Sequence, residues 1–137
     1  MSAIDPRPVH LQPAMLGVVL VGGAVGTAAR AALSLVIPDV GGLPVAILVI
    51  NVVGSFLLGV LLEALTRRGA DVGRRRTVRL LLGTGFCGGF TTYSTLAVGA
   101  AELLRVGATG LGVAYAVGSV LLGALAAWVG TLVGSRR

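Results

Sequence analysis

The chain divides into four long apolar runs separated by three short polar breaks. The first run extends from about Ala14 to Ile37, is interrupted by Arg30, and ends at Pro38-Asp39. The second extends from about Leu43 to Leu65, the third from Val78 to Leu104, and the fourth from about Ala108 to Val133. Each has the ~20 residues that an α-helix needs to cross a hydrocarbon core. A soluble helix keeps a polar face toward water. Between Val45 and Leu58 the only polar positions are Asn51 and Ser55, four apart and so on one narrow stripe of a helix. This pattern predicts an all-α polytopic membrane protein, with four transmembrane helices making a single domain over residues 1–137. A very hydrophobic soluble bundle would need polar faces that these runs lack.

Composition agrees. Of 137 residues, 55% are hydrophobic and 12% charged, against ~25% charged in ordinary soluble domains. The mean hydropathy is +0.98. Glycine is used 22 times, as suits helices whose backbones approach closely in lipid.

Charge adds an orientation. The formal net charge is +6, and all eleven basic residues are arginines gathered in the breaks. Nucleic-acid binding would call for basic and aromatic residues interleaved on one accessible face; arginines in loops point to a membrane surface instead. With four spans, both termini and the loop between spans two and three share one side. That side carries Arg7, Arg67, Arg68, Arg74, Arg75, Arg76, Arg79, Arg136 and Arg137, against Arg30 and Arg105 for the other. The positive-inside rule then puts both termini in the cytoplasm of a multi-pass protein of the inner (plasma) membrane. Asp5, Pro6, Pro8 and His10 open the chain, and the apolar run after them is too long for a cleavable signal peptide. With one cysteine, Cys87, and one histidine, His10, neither a disulfide nor a Cys/His metal cluster has its raw material.

Polar residues inside the apolar runs are the candidates for chemistry. Arg30 follows Gly22-Gly23-x-x-Gly26. An arginine near mid-membrane costs about 2.5–3.5 kcal/mol on insertion scales; it either snorkels to the helix end or offers a positive charge to anions at a vestibule or seam. Asn51 must find a partner in lipid, either a neighbouring helix or a pore. In the third run, Gly83, Gly85, Gly88 and Gly89 with Thr91, Thr92, Ser94 and Thr95 are poor material for an unbroken helix. A discontinuity near Gly88-Gly89 would free main-chain groups, which persist at that depth only where they line a cavity or bind an ion. The other reading of the same run is a packing surface of small residues. Tyr115 and Ser119 share one face of the fourth run, with Gly123 a turn further; their hydroxyls suit either an anion track or bonds to adjacent helices. Glu63 and Glu102 sit at helix ends, where hydration suffices.

The stretch from Gly85 to Thr95, GFCGGFTTYST, resembles the signature of the CrcB/Fluc family of small fluoride channels. Gly22-Gly23-x-x-Gly26-x-x-x-Arg30 and Asn51-x-x-Gly54-Ser55-Phe56-x-x-Gly59 resemble that family's first- and second-span motifs, so the resemblance runs from about Gly22 to Gly123. It implies a fluoride-specific channel that lowers cytoplasmic fluoride by passive export. The architecture implied is a dual-topology dimer with the third helix of each subunit broken mid-membrane, two narrow pores along the interface and a structural, non-transported sodium ion at the centre. By motif position the backbone carbonyls of Gly88 and Thr91 would hold the sodium, Asn51, Tyr93, Leu96, Tyr115 and Ser119 would line the fluoride pore, and Arg30 would stand at the vestibule. The residue types suit the ion: a dry pore must replace the water of a small anion with amide, hydroxyl and aromatic-edge donors, and no carboxylate lies in the central parts of the runs to repel it.

The chain departs from the family pattern at two points. Where the family presents two phenylalanine ring edges, three residues apart, Tyr93 and Leu96 stand here, and Gly123 falls where a second track serine is expected. The arginine bias is also too strong for a subunit that inserts both ways, so the expected partner is a homologous second subunit of opposite orientation, giving a heterodimer. The rival reading is a small four-helix proton-coupled multidrug antiporter, which needs a membrane-embedded carboxylate that the first run lacks. A non-transporting assembly factor is a third. An enzyme is the weakest, since no nucleophile–base pair can be assembled.

Overall fold

The structure, a computed structural model, describes residues 8–136; Arg7 and Arg137 lie outside the described residues. A 3-10 turn, Val9–Leu11, precedes helix α1, Pro13–Val36, and α2 follows as Val45–Arg67. The next helical stretch, residues 74–90, is α3. It begins as an α-helix over Arg74–Val78, widens to a π-helix over Arg79–Cys87, and ends in the α-turn Gly88–Phe90. Helices α4, Tyr93–Arg105, and α5, Thr109–Gly134, complete the chain. Among the described residues there is no strand beyond an isolated bridge between Val40 and Leu43. Three of the helices, α1, α2 and α5, are long and apolar enough to cross a membrane.

Local sequence explains the boundaries. Pro13 opens α1 at a position whose missing N–H is not needed, and the residue before Pro38 is pushed out of the helical region, closing α1. Gly41 and Gly42, both at positive φ, make the tight turn that pairs Val40 with Leu43 and returns the chain into α2. Gly107, at φ 81°, ends α4 as Gly107 N–H donates to Leu104 O and Ala108 N–H to Leu103 O, the left-handed cap that frees the chain to reverse.

Packing rests on bare backbone rather than large side chains. A methyl at Gly22 would run into the Leu81 carbonyl, one at Gly26 into Phe86 and Phe90 main chain, one at Gly85 into Val19 and Gly22, and one at Gly89 into Gly23. These pairings make α1 and α3 parallel neighbours in a small-xxx-small contact. Helices α2 and α5 form a second parallel pair, with Gly59 against Ala127, Gly130 against Phe56 and Gly134 against Val60. The arginines of the α2–α3 loop and Arg136 therefore share one end of the bundle. Ile47, Ile50, Phe90, Leu96, Leu103 and Tyr115 form the buried centre. Valines and leucines elsewhere on α1 and α5 remain exposed, Leu20 at 72% and Leu121 at 64%, as the apolar faces of membrane helices do.

Candidate functional site

Chain geometry changes character after α3. The departure from helix does not fall at Gly88-Gly89, where sequence put it: Gly88 is helical at φ −63°, ψ −37°. It falls at Thr91 (φ −77°, ψ 159°) and Thr92 (φ −150°, ψ 124°), both extended. The reason is hydrogen bonding. Thr91 N–H and its hydroxyl both donate to Cys87 O, at 3.0 and 2.9 Å, which terminates the turn. Thr92 is then captured by α2: Asn51 Nδ2 donates to Thr92 O at 2.9 Å, and Thr92 N–H donates to Asn51 Oδ1 at 2.8 Å. The Asn51 amide thus imitates a peptide partner and satisfies both main-chain groups of the residue that leaves the helix. Thr92 Oγ1 accepts from Thr95 N–H at 3.3 Å and starts α4 as its N-cap. The two threonines suit extended backbone, and glycines at 88 and 89 serve close approach to α1 instead.

The carbonyls at the end of α3 meet different fates. Gly89 O accepts from Arg30 Nε at 3.1 Å and from the Thr27 hydroxyl at 3.4 Å, both from α1. The arginine so placed opposes the negative end of the α3 dipole, while its two Nη groups have no acceptor among the described residues. Gly88 O and Thr91 O receive no hydrogen bond among the described residues. They are two unmatched acceptors in an apolar protein.

A groove of about 610 Å³ lies between α2, α3, α4 and α5. Asn51, Gly88, Thr91, Tyr93, Leu96 and Ser119 all line it. The structure therefore brings together most of the residues singled out from sequence, although they come from three separate runs. Arg30 stands on the α1 side, apart from the groove. Tyr115 is buried and does not line it; its hydroxyl donates to Pro44 O at 3.3 Å. Ser119 lines the groove but its hydroxyl donates back to Tyr115 O at 2.6 Å, the i−4 bond typical of serine in apolar helices. Tyr93 is 81% exposed and Leu96 7%.

Sequence reasoning missed Thr92, whose main chain is the partner of Asn51 and whose hydroxyl joins those of Ser94 and Thr95 at 3.2 and 3.1 Å. The signal was the Thr/Ser cluster itself; nothing in the sequence tied it to a residue 41 positions earlier. The charged groups lie elsewhere. Glu63 pairs with Arg67 at 2.6 Å and Glu102 with Arg105 at 3.0 Å, both within their own helices. Asp71, in the α2–α3 loop, is held by Arg79 at 2.8 Å; the hydrogen bond from Arg79 keeps its carboxyl below the usual range. Among the described residues no acid lines the groove.

Comparison with known proteins agrees with this arrangement. The family model described as "CrcB-like protein, Camphor Resistance (CrcB)" matches residues 17–131. "Fluoride-specific ion channel FluC 2" of Leifsonia xyli subsp. xyli is 49% identical over 135 residues, 98% of this chain and 93% of that protein. "Fluoride-specific ion channel FluC 1" of Cutibacterium acnes is 46% identical over 127 residues, 92% of this chain and 85% of that protein. "Fluoride-specific ion channel FluC" of Deinococcus radiodurans is 49% identical over 118 residues, 84% of this chain and 90% of that protein. These relatives are named as ion channels, not as enzymes. With matches of this extent, the chain belongs to the CrcB-like family.

Proposed function

We propose that this chain is a subunit of a fluoride-specific ion channel that lets fluoride leave the cytoplasm passively. The observation that carries the proposal is the groove: an acid-free, largely apolar channel wall whose polar groups are an amide, hydroxyls and peptide groups. An anion stripped of water needs hydrogen-bond donors and no fixed negative charge. Asn51 uses one of its two amide N–H groups on Thr92, and the second has no acceptor among the described residues. The Ser119 hydroxyl can rotate from its carbonyl toward an ion in the groove, since a hydroxyl hydrogen turns to suit its surroundings. Tyr93 and Leu96 flank the same wall, with only the tyrosine offering a ring edge. Tyr115 takes part through Ser119, whose hydroxyl it holds by its carbonyl. Arg30, with free Nη groups, serves as the vestibule cation while its Nε braces Gly89.

In this reading 74–90 and Tyr93–Arg105 are the two halves of a third membrane span, broken at Thr91-Thr92. Neither half is long enough to cross alone, and the Asn51 clamp makes the break tolerable in lipid. A structural sodium would be held by Gly88 O and Thr91 O, which are oxygen ligands of the kind a hard cation takes and are otherwise unmatched. Two carbonyls from one chain are too few for such an ion, so the site calls for a second subunit. That subunit crosses the membrane in the opposite direction, and the arginine bias supports a homologous chain rather than a second copy; relatives numbered FluC 1 and FluC 2 accord with paired genes. Both termini would be cytoplasmic and the membrane the inner, plasma membrane. The proton-coupled antiporter lacks the embedded carboxylate it requires.

Growth tests the proposal. A bacterial strain without its own fluoride exporter should regain growth on fluoride when this chain is expressed with its homologous partner, and gain no resistance to cationic dyes. Dye resistance without fluoride resistance would favour the antiporter and overturn the channel.

A further inference from the structure

The end of the bundle that holds the α2–α3 loop has chemistry that the fluoride pathway does not use. Between residues 63 and 79 there are six arginines and two acids, Glu63 and Asp71. The acids are already taken. Glu63 is bound by Arg67 at 2.6 Å. Asp71 Oδ2 receives Arg79 Nε at 3.0 Å and Nη2 at 2.8 Å, and the Asp71 carbonyl receives Arg76 Nε at 3.0 Å. Arg68, Arg74 and Arg75 have no acidic partner among the described residues, and Arg68 and Arg74 are exposed.

Two of these arginines, Arg75 and Arg79, line a recess of about 200 Å³, with Arg68 and Arg74 nearby in sequence. One wall is apolar, Leu62 and Leu65 of α2, and the other is basic, with the Arg75 and Arg79 guanidinium groups; Asp71, neutralised by Arg79, lies between. Gly69 lies against the Arg75 guanidinium, where any side chain would crowd it. Leu62 is 39% exposed, so the apolar wall of the recess is open to its surroundings.

From this we propose that the recess is a binding site for the phosphate headgroup of an anionic phospholipid, with the acyl chains lying along α2 past Leu62. Guanidinium groups bind phosphate through paired N–H donors, and arginines at a membrane edge attract anionic lipid by about 1 kcal/mol each. A soluble polyanion would use the arginines and leave the leucine wall idle; a phospholipid uses both. The site requires only that the chain lie in a membrane and is independent of what passes through the groove.

Native mass spectrometry of the full-length protein in detergent tests it, with phosphatidylglycerol and phosphatidylcholine as competing probes. The wild type is expected to retain phosphatidylglycerol in preference to phosphatidylcholine. The triple variant R68Q/R74Q/R75Q should lose about fivefold in affinity per arginine removed, and Arg105→Gln, at the opposite end, should lose none. Equal retention of the two lipids, or an unchanged triple variant, overturns the proposal. Displacement of phosphatidylglycerol by millimolar inorganic phosphate overturns the lipid as occupant and leaves a simple phosphate site. If the triple variant fails to fold, salt decides with the wild type alone: the preference must weaken as ionic strength rises, and a salt-independent preference refutes it.

Discussion

At the scale of residues, Asn51 and Thr92 are the pair on which the groove depends. Asn51→Ala leaves a main-chain N–H and a carbonyl unmatched in an apolar setting, at about 1–3 kcal/mol each. The variant should melt several degrees below wild type in detergent and pass no fluoride; an unchanged melting temperature would show that the pair is incidental. Asn51→Asp still accepts from Thr92 N–H but cannot donate, and places a negative charge in the groove, so it should fold better than Asn51→Ala while conducting no better. Tyr93 makes a different prediction. Its hydroxyl has no partner among the described residues, so Tyr93→Phe should leave fluoride flux unchanged. Tyr93→Ala, which removes a ring edge worth about 0.5–1.5 kcal/mol, should cut flux by up to about tenfold. Initial efflux rates from vesicles decide between them.

Elements are held together by glycine seams, and their sensitivity is unequal. Gly26→Val would set a branched side chain against Phe86 and Phe90 main chain, which cannot give way unless α1 and α3 part. Overpacking of this kind costs about 1–3 kcal/mol or more and would shift the groove wall as well. Gly17→Ala, with nothing near the added methyl, should be neutral or stabilising by up to about 1 kcal/mol from helix propensity. Thermal melts of the two variants check the contrast. The α2–α3 loop responds to pH. Because Arg79 lowers the folded pKa of Asp71, its contribution to stability is complete above the ordinary carboxylate range near pH ~4 and is lost as pH falls through the lowered value. Asp71→Asn should therefore cost a few tenths of a kcal/mol at neutral pH, as exposed ion pairs do, and nothing in strong acid; an equal effect at both pH values would contradict this.

The elements were largely legible in the sequence, because apolar length alone marks a span. Expected runs at 14–37, 43–65 and 108–133 are found as Pro13–Val36, Val45–Arg67 and Thr109–Gly134. The third run was less legible. Its helix starts at Arg74, four residues before the apolar run, since the arginine-rich stretch is a good helix former. Its interruption lies at Thr91-Thr92 because a tertiary partner, Asn51, and not glycine content, chooses the residue that leaves the helix. For Tyr115 and Ser119 the sequence left an anion track and bonds to neighbouring segments both open, as residue type does not say where a hydroxyl points; in the structure both hydroxyls donate to main-chain carbonyls.

For the whole molecule, one chain leaves the carbonyls of Gly88 and Thr91 unmatched among the described residues, and in the proposed reading its arginine bias favours a single orientation. A reagent that cannot cross the membrane should label cysteine tags at both termini from the cytoplasmic side only; mixed labelling would remove the case for a separate homologous partner in place of a second copy. The most direct test of the account is fluoride efflux, followed with a fluoride-selective electrode, from vesicles holding this chain with and without its homologous partner. Rapid loss of fluoride but not chloride from the paired vesicles, and little from the lone chain, is the predicted result. Fluoride retained by paired vesicles, or chloride released as readily, would contradict it.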